Sequence, residues 1–138
     1  MKEINAKELL DIAIKAREGA YAPYSNFHVG AALLCADGEI YTGANVENAS
    51  YGGTICAERV AITSAVTHGH REFVAIAIVG APCGQAPTES CLPCGFCRQV
   101  MGEFCSADFE VVLADGEGVK VFTLGELLPH SFSPDMLN

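Results

Sequence analysis

Two short segments carry the residues with the clearest capacity for chemistry. "CAER" places Cys56 and Glu58 two residues apart, and "PCGFC" places Cys94 and Cys97 in a C-x-x-C spacing. Three thiolate ligands would leave the fourth tetrahedral position of Zn²⁺ open to water, as in catalytic zinc sites. Zinc lowers the pKa of such a water from about 15.7 towards about 7. We therefore predict one Zn²⁺ per chain on Cys56, Cys94 and Cys97. Glu58 would carry the proton of the water.

Arg59 completes the chemistry of the first segment. Three thiolates around one Zn²⁺ have a net charge of −1, which weakens the pull of the metal on a water molecule. A cation that donates hydrogen bonds to the ligand sulfurs offsets this charge, and Arg59 directly follows Glu58. Charged side chains are almost never fully buried without a partner. Mutual compensation around a metal would explain why charges occur within the otherwise apolar "GTICAERVAI".

The cysteine spacing by itself is compatible with two further kinds of site. A lone C-x-x-C is also typical of redox pairs. Cys83 and Cys91 could join Cys94 and Cys97 in a closed zinc knuckle, because Cys91-x-x-Cys94 has the same spacing. The combination of C-x-E with P-C-x-x-C favours the catalytic site. It matches the zinc deaminase signature H-x-E…P-C-x-x-C, with Cys in place of the His.

The remaining cysteines and the histidines suggest no chemistry of their own. We interpret Cys35 and Cys105 as packing thiols, and Cys83 and Cys91 as loop thiols. No role is predicted for several other polar side chains: His28, His68, His70, Gln99 and His130.

Composition limits the class of protein. The 138 residues predict a single domain, residues 1–138, and the net charge of −9 argues against a nucleic-acid binder. The first 20 residues mix charges with apolar positions, unlike a signal peptide, and the longest apolar run, 73–79, is too short to span a membrane. We expect a cytoplasmic protein with a small-molecule ligand. Seven cysteines in a reducing compartment favour metal binding or catalysis over disulfides.

Hydrophobic periodicity and turn residues predict the elements that position these side chains. The predicted helices are residues 6–18 with Asn5 as cap, about 55–67 and about 95–104, followed by a short helical turn in "LGELLPHSF". The predicted strands are residues 27–35, 40–46, 73–79, 109–114 and 119–124. This order predicts an α/β protein, a three-layer α/β/α sandwich with a five-stranded mixed sheet. Cys56 and Cys94 then lie at helix N-termini, which favour thiolates and small ligands.

Longer stretches resemble the cytidine deaminase family, in its small homotetrameric form. The matching segments cover nearly the whole chain: "YAPYSNFHVGAALL", "GANVENASYGGTICAERVAI", "PCGFCRQVMGEF" and "LGELLPHSF". The resemblance implies a cytidine deaminase-like fold. It implies hydrolytic deamination of cytidine and 2′-deoxycytidine to uridine and 2′-deoxyuridine, with release of ammonia, in pyrimidine salvage. The implied partner is a nucleoside, with neither nucleic acid nor membrane.

The resemblance also implies how the nucleoside is held. Asn45 and Glu47 are implied to hydrogen-bond the ribose hydroxyls, and Glu47 would repel a 3′-phosphate. Phe27 is implied as a wall against the pyrimidine ring, and Ala57 as a backbone contact to it. Without the family, these four residues would be interpreted as loop, strand or helix residues of no special function.

The implied homotetramer shares its active sites between subunits. Phe132 is implied to stack on the base bound by a neighbouring subunit, and Tyr51 to lie near the same shared site. In the bare sequence these residues belong to a terminal segment and a loop.

Some positions depart from the family pattern. Asn26 replaces a common basic residue, His28 replaces a common Pro, and Gly52-Gly53-Thr54 replaces a more apolar segment. The Gly-Gly loop could alter flexibility over the site, which leaves the substrate preference open.

Other functions remain as alternatives. One is a deaminase of aminonucleoside antibiotics, which we expect to lack Phe27 and Arg59, both present in this sequence. Two more are a non-enzymatic zinc-knuckle module and a nucleic-acid-editing deaminase, the latter disfavoured by the acidic charge.

Overall fold

The computed structural model describes residues 4–137, which form four helices and five strands. In chain order these are α1 Ala6–Ala16, β1 Phe27–Cys35, β2 Ile40–Ala44, α2 Ala57–Thr67, β3 Phe73–Pro82, α3 Gly95–Phe104, β4 Glu110–Asp115, β5 Gly118–Thr123 and α4 Leu124–Leu127. The predicted element order and the short helical turn near the C-terminus are confirmed. Between residues 4 and 137, each helix is too short or too polar to traverse a bilayer.

The five strands form one mixed sheet in the order β2-β1-β3-β4-β5. β3 and β4 pair in parallel, with Ala77 opposite Val112, and the other neighbours in this sheet are antiparallel. β3 is therefore the central strand, as its continuous apolar run predicts. The five-stranded mixed sheet is confirmed.

Helices cover both faces of this sheet because side chains alternate along each strand. Ile76 and Ile78 of β3 pack in one hydrophobic cluster with residues of α2 and α3. Ala77 and Val79 belong to a second cluster with Leu10 and other residues of α1. The predicted three-layer α/β/α arrangement follows directly from this alternation.

Element ends differ from the predictions where tertiary contacts decide them. α1 is capped by the Asn5 side chain as predicted but ends at Ala16, and residues 17–19 form a 3-10 turn. β2 ends at Ala44, because Val46 pairs with Tyr21 and Ile55 in isolated bridges instead. Ile55 is consequently extended, and α2 begins at 57 rather than 55. β3 continues to Pro82, since β1 pairs with it along its whole length.

A glycine in β2 allows α2 to lie very close to the sheet. A Cβ atom at Gly43 would overlap the carbonyl oxygen of Ala57 and lie 2.6 Å from the backbone nitrogen of Ala61. No side chain fits there without a shift of the helix backbone. Gly43 therefore fixes the distance of the first turns of α2 from the sheet, and with it the position of Glu58.

Replacing Gly43 with Ala should destabilise the protein by about 1–3 kcal/mol, the usual cost of overpacking a core. Gly19→Ala is the matched control, because its Cβ would meet only Ala44 Cβ, at 3.9 Å. The free energy of unfolding from urea titrations measures both variants. Equal stability of the two would show that α2 can move away from β2 without cost.

Candidate active site

The predicted metal ligands meet where α2 and α3 begin. Cys56 is the N-cap residue of α2 and Cys94 the N-cap residue of α3, both with extended backbone. Cys97 lies in the first turn of α3 and is fully buried. The first backbone N–H groups of a helix have no intrahelical acceptor and carry partial positive charge. Two such ends point at one place, which favours thiolates there.

The three sulfur atoms have the spacing of a tetrahedral metal site. Sγ of Cys94 lies 3.7 Å from Sγ of Cys56 and 3.4 Å from Sγ of Cys97, and all three lie within 4.8 Å of one another. Zn–S bonds of about 2.3 Å place sulfurs roughly 3.8 Å apart around zinc. The donor set therefore fits Zn²⁺ with three thiolates. In the described part of the chain, neither Cys83 nor Cys91 belongs to this sulfur group, which argues against the closed knuckle.

Arg59 lies beside the sulfurs. Its Nη2 atom is 3.6 Å from Cys56 Sγ and 3.4 Å from the carbonyl oxygen of Thr54, and its guanidinium lies over the ring of Phe96 at 5.7 Å. The neighbouring Cys97 thiol, followed by the Arg59 guanidinium, lowers the pKa of Cys56. The guanidinium thus supplies the positive charge that a cluster of thiolates requires.

Glu58 is almost completely buried next to these thiols, with 4% of its surface exposed. Burial raises the pKa of Glu58 to about 7, and the negative charge of Cys56 acts in the same direction. A carboxyl group with a pKa near neutral can both accept and donate a proton. The position and the pKa of Glu58 suit a proton carrier.

Asn45 holds the beginning of β1 in place. Its Oδ1 atom accepts a hydrogen bond from the backbone N–H of Val29 at 2.9 Å, and its Nδ2 atom donates to the carbonyl oxygen of Phe27 at 2.9 Å. The side chain is 7% exposed. One Nδ2 hydrogen and one Oδ1 lone pair remain for a ligand.

Glu47 is ionised and held by the loop before β1. Oε1 accepts hydrogen bonds from the backbone N–H groups of Tyr24 at 2.9 Å and Ser25 at 3.1 Å, and Oε2 accepts from the Ser25 hydroxyl. The Ser25 hydroxyl is the main cause of the lowered pKa of Glu47. The same hydroxyl accepts from the N–H of Phe27 at 3.0 Å. Ser25 therefore links Glu47 to Phe27. The only sign of this role in the sequence is that Ser25 lies two residues before Phe27 in "YSNF".

Phe27 and Cys91 meet over the end of β3. A Cβ atom at Gly80 would lie 2.8 Å from Cys91 Sγ and 2.8 Å from the Phe27 ring. Both residues line a cavity of about 380 Å³. Cys91, interpreted from the sequence as a loop thiol, is therefore a wall of this cavity. Burial raises its pKa to about 11, so it remains a neutral thiol.

The aromatic residues predicted for a shared site are exposed. Tyr51 is 73% exposed, with its ring 5.6 Å from that of Tyr24, and Phe132 is 57% exposed. Nε2 of Gln99 donates to the carbonyl oxygen of Phe132 at 2.9 Å, so Gln99 ties the C-terminal segment to α3. The sequence suggested no role for Gln99.

Cys56→Ala should remove the metal from the isolated protein, because two thiolates bind zinc much more weakly than three. Cys91→Ala is the matched control and should retain one zinc per chain. Atomic absorption after dialysis against a mild chelator measures both. The opposite pattern would favour a closed knuckle built from the segment 83–97.

Comparisons with known proteins agree on one family. Residues 3–113 match the family model described as the cytidine and deoxycytidylate deaminase zinc-binding region. The chain is 51% identical over 131 residues to a cytidine deaminase of Halalkalibacterium halodurans, covering 94% of this chain and 96% of the relative. It is 46% identical over 137 residues to a cytidine deaminase of Sporosarcina psychrophila, covering 98% and 96%. A crystal structure of cytidine deaminase from Burkholderia pseudomallei superposes with a TM-score of 0.84 at 51% identity, covering 94% of this chain and 100% of that one.

Proposed function

Because the chain belongs to the cytidine and deoxycytidylate deaminase family, we propose that it hydrolyses cytidine and 2′-deoxycytidine to uridine and 2′-deoxyuridine with release of ammonia. The observation that carries this proposal is the group of three sulfurs with a buried carboxyl beside it. A free nucleoside substrate suits a role in pyrimidine salvage. The loss of ultraviolet absorbance as cytidine is consumed measures the reaction. An aminonucleoside antibiotic is assayed in parallel, and turnover of the antibiotic instead of cytidine would favour the alternative substrate.

The residues present fit a zinc ion held by Cys56, Cys94 and Cys97. When bound, zinc is a Lewis acid that lowers the pKa of water and so supplies the nucleophile for C4 of the pyrimidine. Arg59 offsets the excess negative charge of the thiolates. Glu58 accepts one proton from the water and delivers it to N3 of the ring. It then takes the second proton, from the hydroxyl now bonded to C4, and gives it to the amine, which leaves as ammonia while C4 becomes a carbonyl.

The remaining site residues orient the nucleoside. Phe27 covers one face of the pyrimidine, and the backbone of Ala57 contacts the ring. Asn45 and Glu47 bind the ribose hydroxyls. Glu47 is ionised, so it accepts from a hydroxyl and repels a phosphate at the same position. The hydrogen bonds of Asn45 and Ser25 to the backbone around Phe27 support this arrangement, because they keep the sugar and base contacts at a fixed distance.

The assembly we propose is a homotetramer in which Phe132 and Tyr51 complete the site of a neighbouring subunit. Ile55, Leu92 and Phe96, each within two residues of Cys56 or Cys94 in the sequence, are large apolar side chains exposed on the single chain, and so are Tyr51 and Phe132. Exposed apolar patches of this kind mark interaction surfaces. The cavity beside Phe27 and the smaller one of about 210 Å³ beside Glu47 are surface depressions on the single chain, and neither includes the metal-binding sulfurs in its lining. Residues from a second chain would close them.

Glu58→Gln should reduce kcat by about 10²–10⁴-fold, the contribution expected of a positioned acid–base group. The zinc content should remain at one per chain, because the amide preserves the shape of the side chain. Glu103→Gln, at an exposed position of α3, is the control and should retain full turnover. Full activity of Glu58→Gln with bound zinc would eliminate Glu58 as the proton carrier.

A complementation experiment tests the shared site. Phe132→Ala and Glu58→Gln each lower activity alone, but co-expressed chains should recover a fraction of it. In mixed assemblies, sites with intact Glu58 receive Phe132 from the other chain. Co-expression of Glu58→Gln with the double variant Glu58→Gln/Phe132→Ala is the control and should recover nothing. A fully active monomer, or unchanged activity of Phe132→Ala, would contradict sharing.

A further inference from the structure

A second cluster of metal-ligating side chains lies at the other end of α2 from the catalytic cysteines. Cys35 ends β1, Asp37 lies in the turn between β1 and β2, and His70 follows the C-terminal end of α2. One donor atom from each of the three residues lies within 4.8 Å of the other two. Since α2 has 11 residues, its two ends are roughly 16 Å apart. The cluster is therefore separate from the site on Cys56.

The donor types and one of the distances fit a tetrahedral transition-metal site. Thiolate, imidazole and carboxylate are the three ligand types that zinc uses in proteins, whereas Mg²⁺ and Ca²⁺ require oxygen ligands. Nδ1 of His70 lies 3.7 Å from Oδ2 of Asp37. Zn–N and Zn–O bonds of about 2.1 Å place such donors roughly 3.4 Å apart. A small adjustment of the exposed Asp37 side chain closes this difference.

The Nε2 atom of His70 is hydrogen-bonded to a carboxylate, as is usual for a histidine whose other ring nitrogen binds a metal. Nε2 lies 2.6 Å from Oε2 of Glu39. Histidines that bind metal usually give their second ring N–H to a carboxylate, which fixes the ring and leaves the other nitrogen for the metal. The ring of Tyr41 packs edge-on against the imidazole at 5.1 Å. His70 is thus held with Nδ1 facing Asp37.

The backbone carries these donors on two segments that are hydrogen-bonded to each other. The N–H of Ala36 donates to the carbonyl oxygen of Glu72 at 2.9 Å, joining the β1–β2 turn to the connection before β3. The N–H of Glu39 donates to Oδ1 of Asp37 at 3.0 Å, which leaves Oδ2 for His70 or a metal. The two segments are therefore already held in place before an ion binds.

The charge of the cluster also favours a cation. Among the salt bridges formed within residues 4–137, Asp37 and Glu39 pair only with His70. Burial raises the pKa of Cys35 to about 11, with further contributions from Asp37 and Glu39. The cluster offers one thiol where the catalytic site offers three, so we expect it to bind zinc more weakly than the three cysteines do.

We propose that Cys35, Asp37 and His70 form a second, lower-affinity site for a divalent transition metal such as Zn²⁺. The bound ion joins the β1–β2 hairpin to the C-terminal end of α2. Glu39 positions His70 without contacting the metal. This site is independent of the deaminase reaction, since none of its residues lies near the catalytic sulfurs.

Equilibrium dialysis of the holoenzyme, already containing one zinc per chain, against increasing Zn²⁺ tests the proposal. Wild-type protein should bind a second equivalent, and His70→Ala should bind only the first. Asp37→Asn should weaken the second equivalent at least 10-fold. Oδ1 stays bonded to Glu39, so the amide nitrogen occupies the ligating position. His68→Ala is the matched control, because His68 also packs on Tyr41, at 5.3 Å, but lies outside the donor group.

Cobalt gives a direct readout of the thiol. Co²⁺ added to the zinc-loaded holoenzyme should produce a thiolate-to-cobalt charge-transfer band in the near ultraviolet, absent in Cys35→Ser. Where Cys35→Ser fails to fold, Asp37→Asn decides, since its side chain is 56% exposed and does not contribute to the core. A single zinc per chain in the wild type would overturn the proposal. So would a second zinc retained by both His70→Ala and Asp37→Asn, which would mark adventitious surface binding.

Discussion

The convergence of three cysteine sulfurs on the N-termini of two helices is the constraint on which the proposed active site depends. Closely spaced thiols repel one another once ionised, so their proximity requires positive charge nearby. The free N–H groups at the starts of α2 and α3 provide part of it, and the Arg59 guanidinium beside Cys56 provides more. A divalent ion bound by the three sulfurs would supply the remainder. Glu58 is buried against this group. Burial is the main cause of its raised pKa, and the negative charge of Cys56 acts in the same direction.

The sheet keeps this arrangement rigid through close backbone packing. Gly43 lets α2 approach β2 until the helix backbone touches the strand, so the first turn of α2 can move no closer to the sheet. Arg17 performs a related function at the start of β1. Its guanidinium donates to the carbonyl oxygens of His28, Ala81 and Pro82 at 2.8, 3.0 and 2.8 Å. These bonds tie the beginning of β1 to the end of β3, and so hold Phe27 over Gly80.

The sequence predicts those parts of the fold that local signals determine. The limits of β1 and α3 are correct because a tight turn follows Cys35 and an N-cap precedes Gly95. The ends of β2 and β3 were misplaced because they depend on pairing with distant segments, as Val46 shows by bridging to Tyr21 and Ile55. Spacing alone could not choose between Cys91 and Cys97 as partners of Cys94. The structure separates them, because Cys97 lies in the first turn of α3 whereas Cys91 precedes Pro93 and faces Phe27.

The cluster at the other end of α2 was missed for the same physical reason. Cys35 and His70 have no motif in common, and only the pairing of β1 with β3 brings the connection after α2 beside the β1–β2 turn. The C-terminal end of a helix carries partial negative charge and favours cations, whereas the N-terminal end favours anions. The two ends of α2 follow this polarity, with thiols and the carboxyl of Glu58 at its start and histidine at its end. A single short helix thereby separates two clusters of potential metal ligands. The three thiols lie at the end where negative charge is best stabilised, and the mixed group of one thiol, one imidazole and one carboxylate lies at the other.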